Sequence, residues 1–149
     1  MIAVDQLIKH WAVEVLQPFS RMDFIKLGNY DVLGFFYTEN KGAAFSSFSG
    51  AGNFLIVFNI ILMLFLMVFL FKSKQKSKLL IISITLIISG GVGNLIDRFR
   101  LGYVIDYLEV RMFSFAIFNF ADVCIVIGAF LLAFHTLFFE KPRLNFEQR

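Results

Sequence analysis

Cysteine is almost missing from this chain: Cys124 stands alone among 149 residues. One thiol excludes a disulfide framework and any multi-cysteine metal site. Because it sits in an apolar run, it reads as a small buried hydrophobe and not as a reactive thiol. Histidine is nearly as scarce. His10 and His135 lie far apart without ligand-type neighbours, so neither a metal nor a cofactor is expected. Charge is thin too, at 17% of residues, against about 25% in soluble domains. What takes its place is apolar: 58% hydrophobic residues, 21 of the 149 being Phe, with a mean hydropathy of +0.76. A soluble fold of this length has too little interior to hide that much Phe, Ile and Leu, so the class is polytopic membrane protein. The N-terminus lacks the basic start and apolar core of a signal peptide. No internal repeat relates the two halves, which counts against inverted-repeat transporters.

A spanning helix takes roughly 20 mostly apolar residues. Ala51–Phe71 meets that without a charge, Leu79–Leu95 meets it with glycines and an asparagine near its end, and Phe113–Phe139 contains a clean run over Val123–Phe139. At the N-terminus only Met1–Val4 precede the first charge, Asp5, so residues 1–16 read as an interfacial helix or the outer end of a truncated span. From Gln17 to Gly50 the chain is mixed. Val32–Thr38 has strand composition, Glu39–Gly42 reads as a turn, and Trp11, Tyr30 and Tyr37 suit an interfacial belt. Lys72, Lys74, Lys76 and Lys78 crowd the link between two spans, which puts that loop and the 140–149 tail on the cytoplasmic side. The first long loop and the Arg98–Arg111 segment then fall outside.

The remaining polarity gathers between Ser89 and Asp122, at a boundary between apolar runs. Asp97 reads as a structural ion pair with its neighbour Arg98, supported by Asn94. Asp106 is flanked by Tyr103–Ile105 and Tyr107–Leu108, apolar neighbours that raise a carboxyl pKa by desolvation. Asp122 leads straight into an unbroken apolar helix, where an acid has little structural excuse and is a functional candidate by default. Two carboxylates a few ångströms apart hold one proton between them, so one can take a proton from water while the other donates to the scissile group. Sixteen residues separate Asp106 and Asp122, enough for a loop that returns to the membrane. Serine chemistry is weaker. Ser46, Ser47 and Ser49 have no histidine base, and Ser46 reads as a turn or cap residue.

Five ordered motifs carry a family resemblance: Asp5-Gln6-Leu7-Ile8-Lys9, Asn40-Lys41-Gly42-Ala43-Ala44-Phe45, Gly90-Gly91-Val92-Gly93-Asn94-Leu95-Ile96-Asp97-Arg98, Gly102-Tyr103-Val104-Ile105-Asp106-Tyr107 and Phe118-Asn119-Phe120-Ala121-Asp122. Together they resemble lipoprotein signal peptidase, signal peptidase II, of aspartic peptidase family A8. The resemblance implies an all-α polytopic fold of four transmembrane helices, the first truncated here, with both ends cytoplasmic. It also implies a small extracytoplasmic β-cradle and a further outer-face helical segment. The implied enzyme is an aspartic endopeptidase that removes the signal peptide before a diacylglyceryl-modified cysteine of a bacterial prolipoprotein. Its catalytic residues fall on Asp106 and Asp122, and its supporting residues on Asp5, Lys9, Asn40, Gly42, Asn94, Arg98, Asn119 and Ala121. Implied partners are the lipidated substrate, membrane lipids and globomycin-type cyclic peptide inhibitors, with no nucleic acid and a monomeric state, in the bacterial cytoplasmic membrane.

The implied domain is single, 1–149: remnant of the first helix 1–16, cradle 17–50, spans 51–71, 79–97 and 118–139, cytoplasmic loop 72–78, extracytoplasmic segment 98–117 and tail 140–149. A cradle holding Phe35, Phe36, Phe45 and Phe48 would cover the substrate, and Asn40 and Arg98 would hold its backbone carbonyls. With so little helix before them, Asp5 and Lys9 are expected to be poorly anchored. Two rivals use the same residues. A small proton-coupled transporter would want its acids near the middle of a span, and a non-enzymatic scaffold leaves Asp122 unexplained.

Overall fold

The computed structural model describes residues 1–18, 21–28, 30–42, 51–73, 77–112 and 116–139. Ser46, Ser47, Ser49, Phe45, Phe48, part of the lysine loop and the 140–149 tail lie outside them. Helix α1 spans Ile2–Trp11 and continues as a π-helical turn over Ala12–Leu16. Strands β1 (Met22–Leu27) and β2 (Tyr30–Asn40) follow, then helices α2 (Ala51–Lys72) and α3 (Lys78–Leu101), strand β3 (Val104–Val110) and helix α4 (Phe120–Phe139). The chain is mostly helical, with one small sheet.

Among the described residues three helices are long and apolar enough to cross a membrane: Asn53–Lys72, Lys78–Leu101 and Phe120–Phe139, with mean hydropathies of 3.1, 2.2 and 2.1. Their outer faces carry the phenylalanine excess. Phe54, Phe58, Phe65, Phe71, Phe130 and Phe138 are exposed, as side chains facing hydrocarbon would be. Helix α3 is the most enclosed of the three and sits between the other two. Its glycines explain why. A Cβ on Gly90 would collide with the Ala121 carbonyl and meet Ile125 at 2.8 Å, one on Gly91 would press on Asn59 and Met63, and one on Gly93 would sit 2.5 Å from Asp5 Oδ2. Three small residues thus admit α4, α2 and α1 to one helix. Below them Leu66, Leu80, Ile84 and Ile87 form an apolar core.

Asn94, Asp97 and Arg98 lie in the last two turns of α3, which runs on to Leu101, past the span end expected at 97. Ser77 caps the start of α3 by accepting from Leu80 N at 3.1 Å, and the helix runs on through Asn94, Asp97 and Arg98. It stops at Gly102, which takes the left-handed conformation (φ 81°) and donates to Arg98 O. The next residues, expected as a loop, form strand β3. The sheet is antiparallel in the order β1-β2-β3, with Thr38 opposite Asp106 and Asn40 opposite Val104. Strand β2 therefore extends through Asn40, into the turn expected at Glu39–Gly42. A lack of alternation conceals β3 in the sequence, because its first four residues are all buried. No further outer-face helix occurs among the described residues. The π-helical turn packs against the sheet through Ala12, Leu16, Ile105 and Tyr107.

Candidate active site

The site forms where α1, α3, β3 and the head of α4 converge. Helix α4 begins with a reciprocal cap. Asn119 Oδ1 accepts from Asp122 N at 3.0 Å, and Asp122 Oδ2 accepts from Asn119 N at 3.1 Å. This is the geometry of a capping box, with Asn and Asp in place of Ser and Glu. It corrects the view that Asp122 has little structural excuse. Its carboxylate closes the helix end, and its other oxygen accepts from Asn94 Nδ2 at 2.7 Å.

Asn119 also reaches Asp106. Its Nδ2 donates to Asp106 Oδ1 at 2.7 Å and lies 3.1 Å from Asn94 Oδ1 and 3.3 Å from Ile105 O. Asp106 Oδ2 accepts from Asn40 Nδ2 at 2.9 Å. Asn40 is held in turn by Gly42 N, which donates to Asn40 Oδ1 at 2.8 Å from a left-handed backbone (φ 83°). Asn40 thus serves Asp106 directly. One asparagine therefore touches both acids, and the two differ in surroundings. Asp106 is 1% exposed, whereas Asp122 is half-buried. Burial pushes the Asp106 carboxyl up to about 6. The Asp122 charge adds to the rise, while hydrogen bonds from Asn40 and Asn119 and the Lys9 charge oppose it.

Behind the pair lies a second, fully buried network. Lys9 Nζ contacts Asp97 Oδ2 at 2.8 Å, Asn94 Oδ1 at 2.9 Å and Asp5 Oδ2 at 3.0 Å, so its three donors meet three acceptors. Asp97 therefore pairs with Lys9 and not with Arg98. Adjacent residues on a helix point about 100° apart, which turns Arg98 away, and among the described residues Arg98 makes a single long contact, to Asn94 O at 3.5 Å. Asp97 Oδ2 also accepts from Ile105 N at 3.2 Å, and Asp5 Oδ1 from Ala121 N at 3.1 Å. Asp5 and Lys9 are each 2% exposed, so the expectation of poor anchoring is wrong: side-chain contacts to α3 and α4 hold them.

All ten residues expected at the site lie at this junction, bonded to one another or, for Ala121 and Gly42, through backbone amides. Two more belong with them. Gln6 Nε2 donates to Asp97 Oδ1 at 3.0 Å and lies 3.3 Å from Gly93 O, and Tyr107 Oη accepts from Phe120 N at 3.1 Å. Gln6 adjoins Asp5 within a quoted motif, a signal that could have found it. Tyr107 likewise adjoins Asp106 at the end of a quoted motif.

The model of the family described as signal peptidase (SPase) II matches residues 1–138. The chain belongs to the signal peptidase II family. Lipoprotein signal peptidase of Streptococcus thermophilus (strain CNRZ 1066) is 38% identical over 132 residues, 89% of this chain and 84% of that protein. The Halothermothrix orenii protein of the same name is 38% identical over 141 residues, 95% and 92% of the two chains. A solved structure described as a bacterial membrane enzyme superposes with a TM-score of 0.80 at 28% identity, over 91% of this chain and 82% of that one. Membership of this protease family, with three apolar helices, makes the chain a membrane-bound peptidase of the aspartic type and sets aside the transporter.

Proposed function

We propose that Asp106 and Asp122 are the catalytic pair with which this chain cuts diacylglyceryl-modified bacterial prolipoproteins immediately before the lipidated cysteine. The observation that carries this reading is the Asn119 bridge, which ties a buried carboxyl pushed up to about 6 to a half-exposed one at the head of an apolar helix. We place the shared proton on Asp106, the more deeply buried group, and the negative charge on Asp122. Asp122 takes a proton from water as the water oxygen bonds to the scissile carbonyl carbon, and Asp106 gives its proton to the carbonyl oxygen. As the tetrahedral intermediate collapses and the C–N bond breaks, Asp122 passes its proton to the leaving amine and Asp106 recovers one from a hydroxyl of the intermediate. Arg98, with most of its donors uncommitted among the described residues, would hold a substrate carbonyl. Asp5, Lys9, Asn94, Asn40, Gly42 and Ala121 position the pair.

In this reading the chain is one peptidase domain of the bacterial cytoplasmic membrane, acting as a monomer. Helix α1 is the outer end of the first of four spans, the three-stranded sheet is the extracytoplasmic cradle, and the site faces outward. A lipidated substrate lies in the bilayer, so a site at the outer end of the spans meets the cleavage point without moving it into water. Globomycin-type cyclic peptides would occupy the same place.

The test is cleavage of a lipidated prolipoprotein in liposomes by Asp106→Asn and Asp122→Asn. Asparagine keeps the size of the side chain and, at 122, an acceptor for the helix cap. Each variant should lose about 10²- to 10⁴-fold in rate with its helix content retained. Near-native cleavage by either would refute the pair.

A further inference from the structure

The head of α4 has four backbone N–H groups that the helix itself cannot satisfy. All four are taken. Asn119 N donates to Asp122 Oδ2 and Asp122 N to Asn119 Oδ1, both within the cap. Ala121 N donates to Asp5 Oδ1 on α1, and Phe120 N to Tyr107 Oη on β3. The Tyr107 bond, neutral where Asp5 and Asp122 offer carboxylates, is the one of the four that crosses from the strand that carries Asp106 to the helix that carries Asp122.

Its placement gives it leverage. Backbone bonds already join β3 to the segment before α4: Tyr107 N and Leu108 N donate to Phe118 O at 3.1 and 2.8 Å, and Phe118 N to Leu108 O at 3.1 Å. That bridge ends at Phe118, one residue short of the helix cap. Beyond it the chain turns, and the direction of the first turn of α4 depends on side chains. Adjacent residues of β3 then grip adjacent residues of the turn, Asp106 holding the Asn119 side chain and Tyr107 the Phe120 backbone. Tyr107 is 2% exposed, so its hydroxyl is costly to bury without a partner. A phenylalanine would fill the same apolar space among Ala12, Leu16 and Ile105 at no such cost. Burial also holds the phenol well above its ordinary pKa, so the tie stays neutral while the carboxylates titrate.

We propose that Tyr107 is a positioning residue whose hydroxyl locks β3 to the first turn of α4 and thereby sets the separation of Asp106 and Asp122. The inference rests on the aspartic pair proposed above. It is tested on the full chain in liposomes with Tyr107→Phe, through two readings: cleavage kinetics and the infrared titration of Asp106. Loosening the tie should lower kcat about tenfold. KM should stay within about twofold, because substrate contacts are untouched. With the Asp122 charge less closely held, the Asp106 midpoint should move below about 6.

Phe120→Pro removes the same bond from the donor side, at the first helical position, where proline is tolerated. It should reproduce the shift, and adding Tyr107→Phe to it should change kcat by less than about twofold. An unchanged kcat or an unchanged Asp106 midpoint in Tyr107→Phe overturns the inference, and so do effects of the two substitutions that multiply. Cleavage surviving Asp106→Asn or Asp122→Asn would strike the catalytic reading instead. The infrared midpoint would still judge the tie.

Discussion

Two ionic networks among the described residues of this small protein are built on opposite terms. In the site, Lys9, Asp5 and Asp97 are each 2% exposed and every ammonium donor has an acceptor. On the outer sheet, Lys26 pairs with Asp23 at 2.7 Å and Asp31 at 3.4 Å, and Arg21 with Glu109 at 2.9 Å, with Lys26, Asp23, Asp31 and Arg21 all roughly half exposed. Arg111 lies across Gly34, bonded to Glu109 and Asp23, and closes that network over the sheet. The distances are alike and the consequences are not. Water screens the outer pairs, so each adds little to stability. The inner pairs cannot be broken singly without stranding a charge away from water.

The sharpest way to break the contrast is Lys9→Met. It leaves two buried carboxylates facing each other and should cost about 3–5 kcal/mol in a detergent unfolding assay, along with activity. A loss of under 1 kcal/mol would mean that water enters freely and the two networks are alike.

Next in size come two glycines. Gly93→Ala drives a methyl against Asp5 Oδ2, on the carboxylate whose other oxygen accepts from Ala121 N, and should cost about 1–3 kcal/mol by overpacking. Gly28→Ala meets no atom within 4 Å and carries only the strain of φ 61°, about 1 kcal/mol. The two melting curves decide whether the site or the sheet is the less forgiving.

The pH response should single out the inner region as well. With Asp106 at about 6, cleavage should fall as pH rises through that value, about tenfold per unit beyond it. The stability effect has the same sign. The folded-state value is raised above the ordinary 3.8, so the contribution of Asp106 is full below 3.8 and is lost as pH climbs to about 6 and above. A rate profile flat from pH 5 to 8 would contradict the burial of this carboxyl.

Smallest is Arg111→Met. Loss of the outer clasp should change stability by within about 1 kcal/mol, and less in high salt, while β1 amides exchange faster. Hydrogen exchange resolved along the chain would show whether the effect stays in the hairpin. A drop as large as that of Lys9→Met would erase the distinction.

How much of this was legible depends on the range of the interaction involved. The three apolar helices are written in runs of side chains that need no partner to be recognised. Asp106 and Asp122 stand out because carboxylates are conspicuous among phenylalanines. The cap was legible as well, since Asn119 and Asp122 have capping-box spacing, but the conspicuous acid drew attention from its ordinary work at the helix end. Strand β3 was hidden by its uniform burial, and the partner of Asp97 by the nearness of Arg98 in sequence.

By itself, then, the order of residues determined the membrane class, the apolar helices and the two candidate acids, because hydropathy and chain-local spacing are properties of the chain alone. Tertiary structure decided which charges meet. Lys9 reaches Asp97 across 88 residues only because Gly93 lets α1 against α3, and Tyr107 reaches Phe120 only because β3 lies beside the head of α4. Those pairings follow from how closely helices and strand approach, a distance that no stretch of the chain encodes by itself.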